Sequence, residues 1–155
     1  AMTRLACSGN TKIYVESIEL DRLGTSYTID TLYQVKLSEP SARIVLVLGV
    51  DAFNGFLFWE CWEKILEFCN LFIVSRPNVV LDPSVLESTG LANRCVSDFD
   101  ALFAEDAGSY CYCADVSMNY ASSEVRQKLV KSESLDHAMD LTVLEYIDNH
   151  SLYKL

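Results

Sequence analysis

Along this chain the apolar positions alternate, then run together, then fall at helical spacing, and each change of period marks an element. Lys12 to Leu20 (KIYVESIEL) alternates at first and turns apolar at Ile18 and Leu20, which predicts a strand. Asp21 to Thr25, with Gly24, reads as a turn. A helix follows to about Ser38, capped by Ser26 or Thr28, with Asp30 in its first turn and Ile29, Leu32 and Tyr33 on one face. Pro40 ends it. Arg43 to Val50 (RIVLVLGV) is unbroken β-branched and leucine sequence, the pattern of a strand buried on both faces in the middle of a parallel sheet. It stops at Gly49 and Asp51, where a polar loop is expected. Trp59, Trp62, Ile65, Leu66 and Cys69 recur at helical spacing, and Leu71 to Val74 reads as a short buried strand closed by Ser75-Arg76-Pro77.

Residues 78 to 108, with Pro83, Gly90, Gly108 and scattered acids, predict loops and one short helix. Tyr110 to Val116 is a strand, Ser122-Ser123-Glu124 opens a helix to about Val130, and Asp140 opens the last helix with Val143, Leu144, Tyr146 and Ile147 inward. Strands alternating with helices imply right-handed βαβ units, hence an α/β fold with a parallel sheet. Ligands of such sheets bind outside the carboxyl ends of the strands. Those ends are polar here: Gly49-Val50-Asp51, Ser75-Arg76 and Ser117 to Ser123.

With 155 residues, half of them apolar and 22% charged, the chain suits one domain spanning 1–155 with a core that needs no disulfide or metal staple. Twelve Lys and Arg against 22 Asp and Glu leave a net charge of −10, so nucleic acid and anionic membrane surfaces are not expected partners. An anionic ligand must instead be held by local cations and backbone N–H groups. Phe53 to Val74 is long and apolar enough to suggest a membrane span, but Glu60, Glu63, Lys64 and Glu67 recur on one side, so it reads as a soluble amphipathic helix and then a strand. Six cysteines without C-x-x-C, and nothing resembling a signal peptide, read as small core residues in a reducing cytoplasm. A redox or metal pair at Cys111 and Cys113 is the alternative.

Neither G-x-x-x-x-G-K-[ST] nor G-x-G-x-x-G occurs. The two histidines, His137 and His150, fall in the last helical region and read as surface or helix-end residues. The best anion site is Ser122-Ser123-Glu124-Val125-Arg126, where free amides and two hydroxyls open a helix and Arg126 lies one turn on; a plain N-cap with a surface Arg is the other reading. Arg76 is a second candidate cation, against a solvated loop Arg. Trp59 can stack on a flat ring, or belong to the core.

Taken in order, SYTIDTL (Ser26 to Leu32), LGVDAF (Leu48 to Phe53), W-x-x-W-E-x-I (Trp59 to Ile65), SRP (Ser75 to Pro77), SSEVR (Ser122 to Arg126) and VLEYIDNHSLY (Val143 to Tyr153) resemble bacterial nicotinate-nucleotide adenylyltransferase, also called deamido-NAD pyrophosphorylase. The resemblance spares only about residues 78 to 110. It implies a Rossmann-like nucleotidyltransferase fold with helices on both faces of a parallel sheet. It implies a reaction joining nicotinate mononucleotide to ATP with Mg²⁺, giving nicotinate adenine dinucleotide and pyrophosphate by in-line attack of the mononucleotide phosphate. By matching position, Thr28 and its neighbours line the nicotinate pocket, Trp59 stacks near the ring and Arg76 contacts the mononucleotide phosphate. Gly49 and Asp51 stand on the adenosine side, Asp51 near ribose hydroxyls. Ser122, Ser123 and Arg126 match the I-S-S-T-x-x-R helix start that grips the ATP phosphates. Glu124 replaces the Thr and is expected to point outward, and no metal ligand is assigned to the protein.

The sequence departs from the family in one large respect: it holds neither the opening G-G-T-F-D-P-x-H turn nor the H-x-G-H histidines. The resemblance therefore covers the C-terminal two-thirds of the family fold, without its first strand. Three expectations follow. The Arg43 to Val50 strand shows an unpaired apolar edge that invites a second copy. The catalytic residues are not in this chain, and turnover by the 155-residue polypeptide alone is not expected. The alternative to an enzyme is a shortened relative that binds mononucleotide or serves as an oligomerisation module. The related substrates pantetheine phosphate and nicotinamide mononucleotide stay open beside the nicotinate acid.

Overall fold

Long apolar strands that need cover on two faces, and short helices that need a sheet to pack on, set the arrangement seen in a computed structural model. It describes residues 1–114, 122–131, 133–135 and 139–153. In order, the helices are α1 (Met2–Cys7), α2 (Thr28–Ser38), α3 (Val50–Asn54), α4 (Trp62–Phe68), α5 (Pro83–Ser88), α6 (Phe99–Ala104), α7 (Ser122–Val130) and α8 (Leu141–Asn149), and the strands are β1 (Ile44–Gly49), β2 (Cys69–Val74) and β3 (Tyr110–Cys113). They form two compact units, Ile18–Met118 and Ala1–Ser17 with Asn119–Leu155.

The larger unit holds the sheet, whose order β1-β2-β3 is parallel throughout. The register pairs Leu46 with Leu71 and Leu48 with Ile73, and Leu71 in turn with Tyr110. Partners in a sheet point to the same side. One face is therefore Ile44, Leu46, Leu48, Cys69, Leu71, Ile73, Tyr110 and Tyr112, and it carries the core: α2, α3, the 3-10 turn Phe56–Phe58 and α4 close over it with Leu32, Val50, Phe53, Phe56 and Ile65, all buried. Each of these large side chains contributes about 1.5–3 kcal/mol by leaving water. The other face is Val45, Val47, Asn70, Phe72, Val74 and Cys111, and α6 lies on part of it. There Phe72 meets Phe99 edge-on at 5.2 Å, and Phe99 meets Phe103 at 4.9 Å. Helices thus cover both faces, as expected.

Asn70 is the polar exception in this interior. It is 1% exposed and fully satisfied: Nδ2 donates to Leu102 O at 3.0 Å and Glu105 O at 3.1 Å, and Oδ1 accepts from Ser109 N at 2.8 Å. One side chain so ties β2 to the end of α6 and to the turn that starts β3.

β1 is an edge strand among the described residues, although its composition suits a central one. Leu71 N bonds Ser109 O, so Leu71 and Ile73 use their main-chain groups toward β3, and Asn70, Phe72 and Val74 use theirs toward β1. By the register, Ile44, Leu46 and Leu48 answer them. The amides and carbonyls of Val45 and Val47 are left facing outward, and Val47 is 59% exposed.

Several sequence expectations are corrected. Lys12 to Leu20 forms no strand: it pairs with no strand among the described residues, and Tyr14 and Leu20 are each 86% exposed, so no buried face rewards the alternation. The helix expected from Trp59 begins at Trp62, because Cys61 takes the left-handed conformation (φ 51°) and breaks the turn before it. The loop expected at Asp51 is the short helix α3. Neither Ser26 nor Thr28 caps α2; Tyr27 holds that position without a side-chain bond. Residues 78 to 108 carry two short helices rather than one, opened by Asp82 and Asp98, whose carboxylates accept from Ser84 N and Ala101 N. The strand from Tyr110 ends at Cys113. Asp140 does cap α8, accepting from Thr142 N at 2.8 Å, with Val143 and Ile147 buried as expected.

Candidate functional site

Two groups of the expected residues come together in the larger unit. The first forms a cavity of about 250 Å³ lined by Ser26, Tyr27 and Thr28 on one side and Phe58, Trp59, Glu60 and Ile65 on the other. That is smaller than the roughly 300–1,000 Å³ of sites for drug-sized ligands, so it suits one ring with its substituent rather than a whole nucleotide. One wall is the start of α2. Tyr27 enters it in an extended conformation (φ −107°, ψ 148°) and no side chain caps the first turn. Backbone amides at such a helix start carry partial positive charge and attract an anion.

The opposite wall is aromatic. Phe56 is fully buried and stacks on Phe53 (5.9 Å, 20°); Trp59 lies against it at 5.4 Å and Trp62 meets it edge-on at 6.3 Å. Trp59 is therefore held from behind by a fixed ring and lines the cavity. This half-buried tryptophan packs on the core through Phe56 and also lines the cavity.

The second group sits at the carboxyl end of the sheet. Gly49 ends β1 opposite Val74, Asp51 lies in the first turn of α3, and Arg76 follows β2. The Asp51 carboxylate stands 3.0 Å from Arg76 Nε, with both side chains about half exposed. Gly49 leaves room for this pair: a Cβ there would collide with the Asp51 carboxylate and stand 2.8 Å from Arg76 Nε, so the two side chains would have to shift. The chain then turns back through Pro77 and Asn78 (φ 63°), with Val79 N donating to Arg76 O at 3.3 Å. Ser75 fastens the strand end to β3, Ser75 Oγ donating to Ala114 O at 2.8 Å.

Thr28 and Trp59 thus share a cavity, while Arg76 is not among its walls and pairs with Asp51 instead. Ser122, Ser123 and Arg126 belong to the other unit, on the exposed face of α7; Glu124 is exposed, as expected. His137 lies outside the described residues. His150 ends α8, its ring stacked on Tyr146 at 3.9 Å with Nδ1 2.9 Å from Tyr146 O. The six cysteines are free thiols. Burial pushes Cys69 up to about 12 and raises Cys111, so neither is a ready thiolate. Among the described residues no group of three His, Cys, Asp or Glu is placed to hold a metal, and no helix is long and apolar enough to cross a membrane.

Ser26 and Tyr27, neighbours of Thr28, line the cavity beside it. Sequence reading missed Phe58 and Glu60, whose only signal is adjacency to Trp59. It also missed the pairing of Asp51 with Arg76, which depends on the β1–β2 register and leaves no local trace.

No family model matches this chain. It is similar to probable nicotinate-nucleotide adenylyltransferases of Acidithiobacillus ferrooxidans (33% identical over 99% of this chain and 71% of that relative) and Pseudomonas putida (35%, 99% and 70%). Its fold is similar to that of Plasmodium falciparum nicotinic acid mononucleotide adenylyltransferase, solved in complexes with APC and with NaAD. Each gives a TM-score of 0.69 at 21% identity, covering 98% of this chain and 72% or 71% of that one. At a third of its residues identical across nearly its whole length and about 70% of theirs, this chain belongs to the nicotinate-nucleotide adenylyltransferase family.

Proposed function

We propose that this chain serves the transfer of the adenylyl group of ATP to nicotinate mononucleotide, in which its part is to seat the mononucleotide and the ATP phosphates for in-line attack. The observation that carries the reading is the cavity with an uncapped helix start on one wall and Trp59 on the other. A planar ring stacks on the indole, and its carboxylate meets the first amides of α2. A neutral carboxamide offers no charge to that helix start, so the acid is the favoured substituent. Arg76, at the mouth of the sheet, is the cation for the mononucleotide phosphate. Gly49 and Asp51 take the adenosine side, where the carboxylate accepts from ribose hydroxyls. Ser122, Ser123 and Arg126 take the ATP phosphates as two hydroxyls and a guanidinium at a helix start.

Such reactions are catalysed by positioning and charge stabilisation rather than by covalent chemistry of the protein. Mg²⁺ enters with ATP as part of the substrate, in keeping with an ion that keeps waters and phosphate oxygens as ligands rather than an all-protein cage. The cytoplasm is the proposed compartment. The test is quenching of tryptophan fluorescence by nicotinate mononucleotide in the 155-residue chain and in Trp59→Leu. Saturable quenching that Trp59→Leu removes supports the reading; quenching that survives in Trp59→Leu overturns it.

The open edge of β1 is proposed to pair with β1 of a second copy. Ile44–Gly49 contains no Lys, Pro or other device that discourages edge pairing, and the outward groups of Val45 and Val47 repeat at the spacing a strand needs. Light scattering should give a dimer that Val47→Lys converts to monomer; a monomer at all concentrations contradicts it.

A further inference from the structure

The approach to the ring cavity is held from outside by one arginine. Arg22 precedes the turn at Gly24 (φ 87°) and reaches across to α2. Its Nη1 donates to Ser26 Oγ, Nη2 donates to Gln34 Oε1 at 2.8 Å, and both lie about 3.4–3.5 Å from Thr31 Oγ1. The Thr31 hydroxyl in turn donates to Glu19 Oε1 at 2.8 Å. Thr31 and Gln34 are one turn apart on a single face of α2, so they form a fixed seat for a planar guanidinium. Ser26 is the free end of this arrangement: it lies on the chain entering the helix and lines the cavity.

This fastening matters because the entry is otherwise held only through the Tyr27 carbonyl, which accepts from Asp30 N and Thr31 N. Tyr27 makes no capping bond, so the usual device that fixes a helix start is missing at the point where the first amides face the ring. A carboxylate is gripped only if those amides are already aimed; misaimed amides lose the charged ligand while a ring still stacks on Trp59. We infer that Arg22 is a positioning residue for this cavity: through Ser26, Thr31 and Gln34 it fixes the Ser26–Tyr27–Thr28 wall and so sets the preference for a negatively charged ring substituent over a neutral one. The inference rests on the mononucleotide reading given above.

The experiment titrates nicotinate mononucleotide and nicotinamide mononucleotide into the unsubstituted chain, Arg22→Gln and Arg22→Lys, with circular dichroism and melting curves recorded for each. Arg22→Gln should weaken the acid roughly tenfold, the size of one lost charge-assisted hydrogen bond, and change the amide less than about twofold. Arg22→Lys, which keeps the charge but not the fork, should fall between. Ser26→Ala, which removes only the acceptor on the entering chain and leaves Arg22 on α2, should move the ratio in the same direction. Equal losses for both ligands, or an unchanged ratio in folded Arg22→Gln and Ser26→Ala, would overturn the inference while leaving the mononucleotide reading intact. No binding of either ligand by the unsubstituted chain would overturn that reading, and this inference with it.

Discussion

Asp51 and Arg76 meet across the carboxyl ends of two neighbouring parallel strands, carboxylate oxygen to Nε at 3.0 Å. They are 25 positions apart in sequence and are brought together by the register that sets Gly49 beside Val74. At half exposure such a pair is worth only about 0.2–1 kcal/mol. It is therefore a weak restraint on Arg76, which an incoming phosphate can displace. Asp51→Asn should strengthen binding of nicotinate mononucleotide by about two- to fivefold at low salt. Arg76→Ala should weaken it by roughly tenfold or more, as loss of a charge-assisted contact does. Calorimetry at two salt concentrations checks both, since the gain in Asp51→Asn should shrink as salt rises.

Glu60 stands on the cavity wall next to Trp59, where its carboxylate opposes an acidic ligand. Glu60→Gln should tighten nicotinate mononucleotide modestly, by about two- to threefold at low salt, and leave nicotinamide mononucleotide unchanged. Titrations with the two ligands in parallel measure it.

Asn70 makes three hydrogen bonds at a position only 1% exposed. Asn70→Ala strands two carbonyls and one amide and should cost about 1–3 kcal/mol in urea unfolding, more if all three stay buried. Asn70→Asp should cost more at neutral pH, because an acceptor-only carboxylate then faces the carbonyls of Leu102 and Glu105.

Three aspartates that open helices are held below the ordinary value of 3.8: Asp82 by the Ser84 hydroxyl and amide, Asp98 by the Ala101 amide and Ser97 hydroxyl, and Asp140 by the Thr142 hydroxyl and amide. A carboxyl group depressed in the folded state binds its proton less readily there than in the unfolded chain. Its contribution is complete above 3.8 and is lost as pH falls from that value through the lowered ones. Asp140→Asn keeps an acceptor but does not titrate, so its melting temperature should fall less steeply than that of the unsubstituted chain below about pH 4. Melting curves between pH 7 and pH 2 decide this.

How much was legible in the sequence follows from the range of the interactions involved. β1 and β2 announced themselves as unbroken apolar runs, α8 through Asp140, and the end of α2 through Pro40, all local signals. The break before Trp62 was hidden, since a cysteine in the left-handed region leaves no pattern. Lys12 to Leu20 alternates like a strand yet forms none, because alternation gives propensity and only a neighbouring edge gives hydrogen bonds. At the site, the motifs single out Trp59 and Thr28, and the fold places both on the walls of one cavity. The role of Asn70, the Arg22 seat and the Asp51–Arg76 pair all depend on residues at least a helix turn or a strand away, so no window of sequence displays them.

Calorimetric titration of nicotinate mononucleotide into the 155-residue chain, beside Thr28→Pro, tests the central claim most directly. Proline at that position removes the first amide of α2 while tolerating the helix start. Saturable binding by the unsubstituted chain that falls at least about tenfold in a folded Thr28→Pro variant, with nicotinamide mononucleotide weak in both, is the result this account gives. Undiminished binding in Thr28→Pro, or no binding at all by the unsubstituted chain, would contradict it.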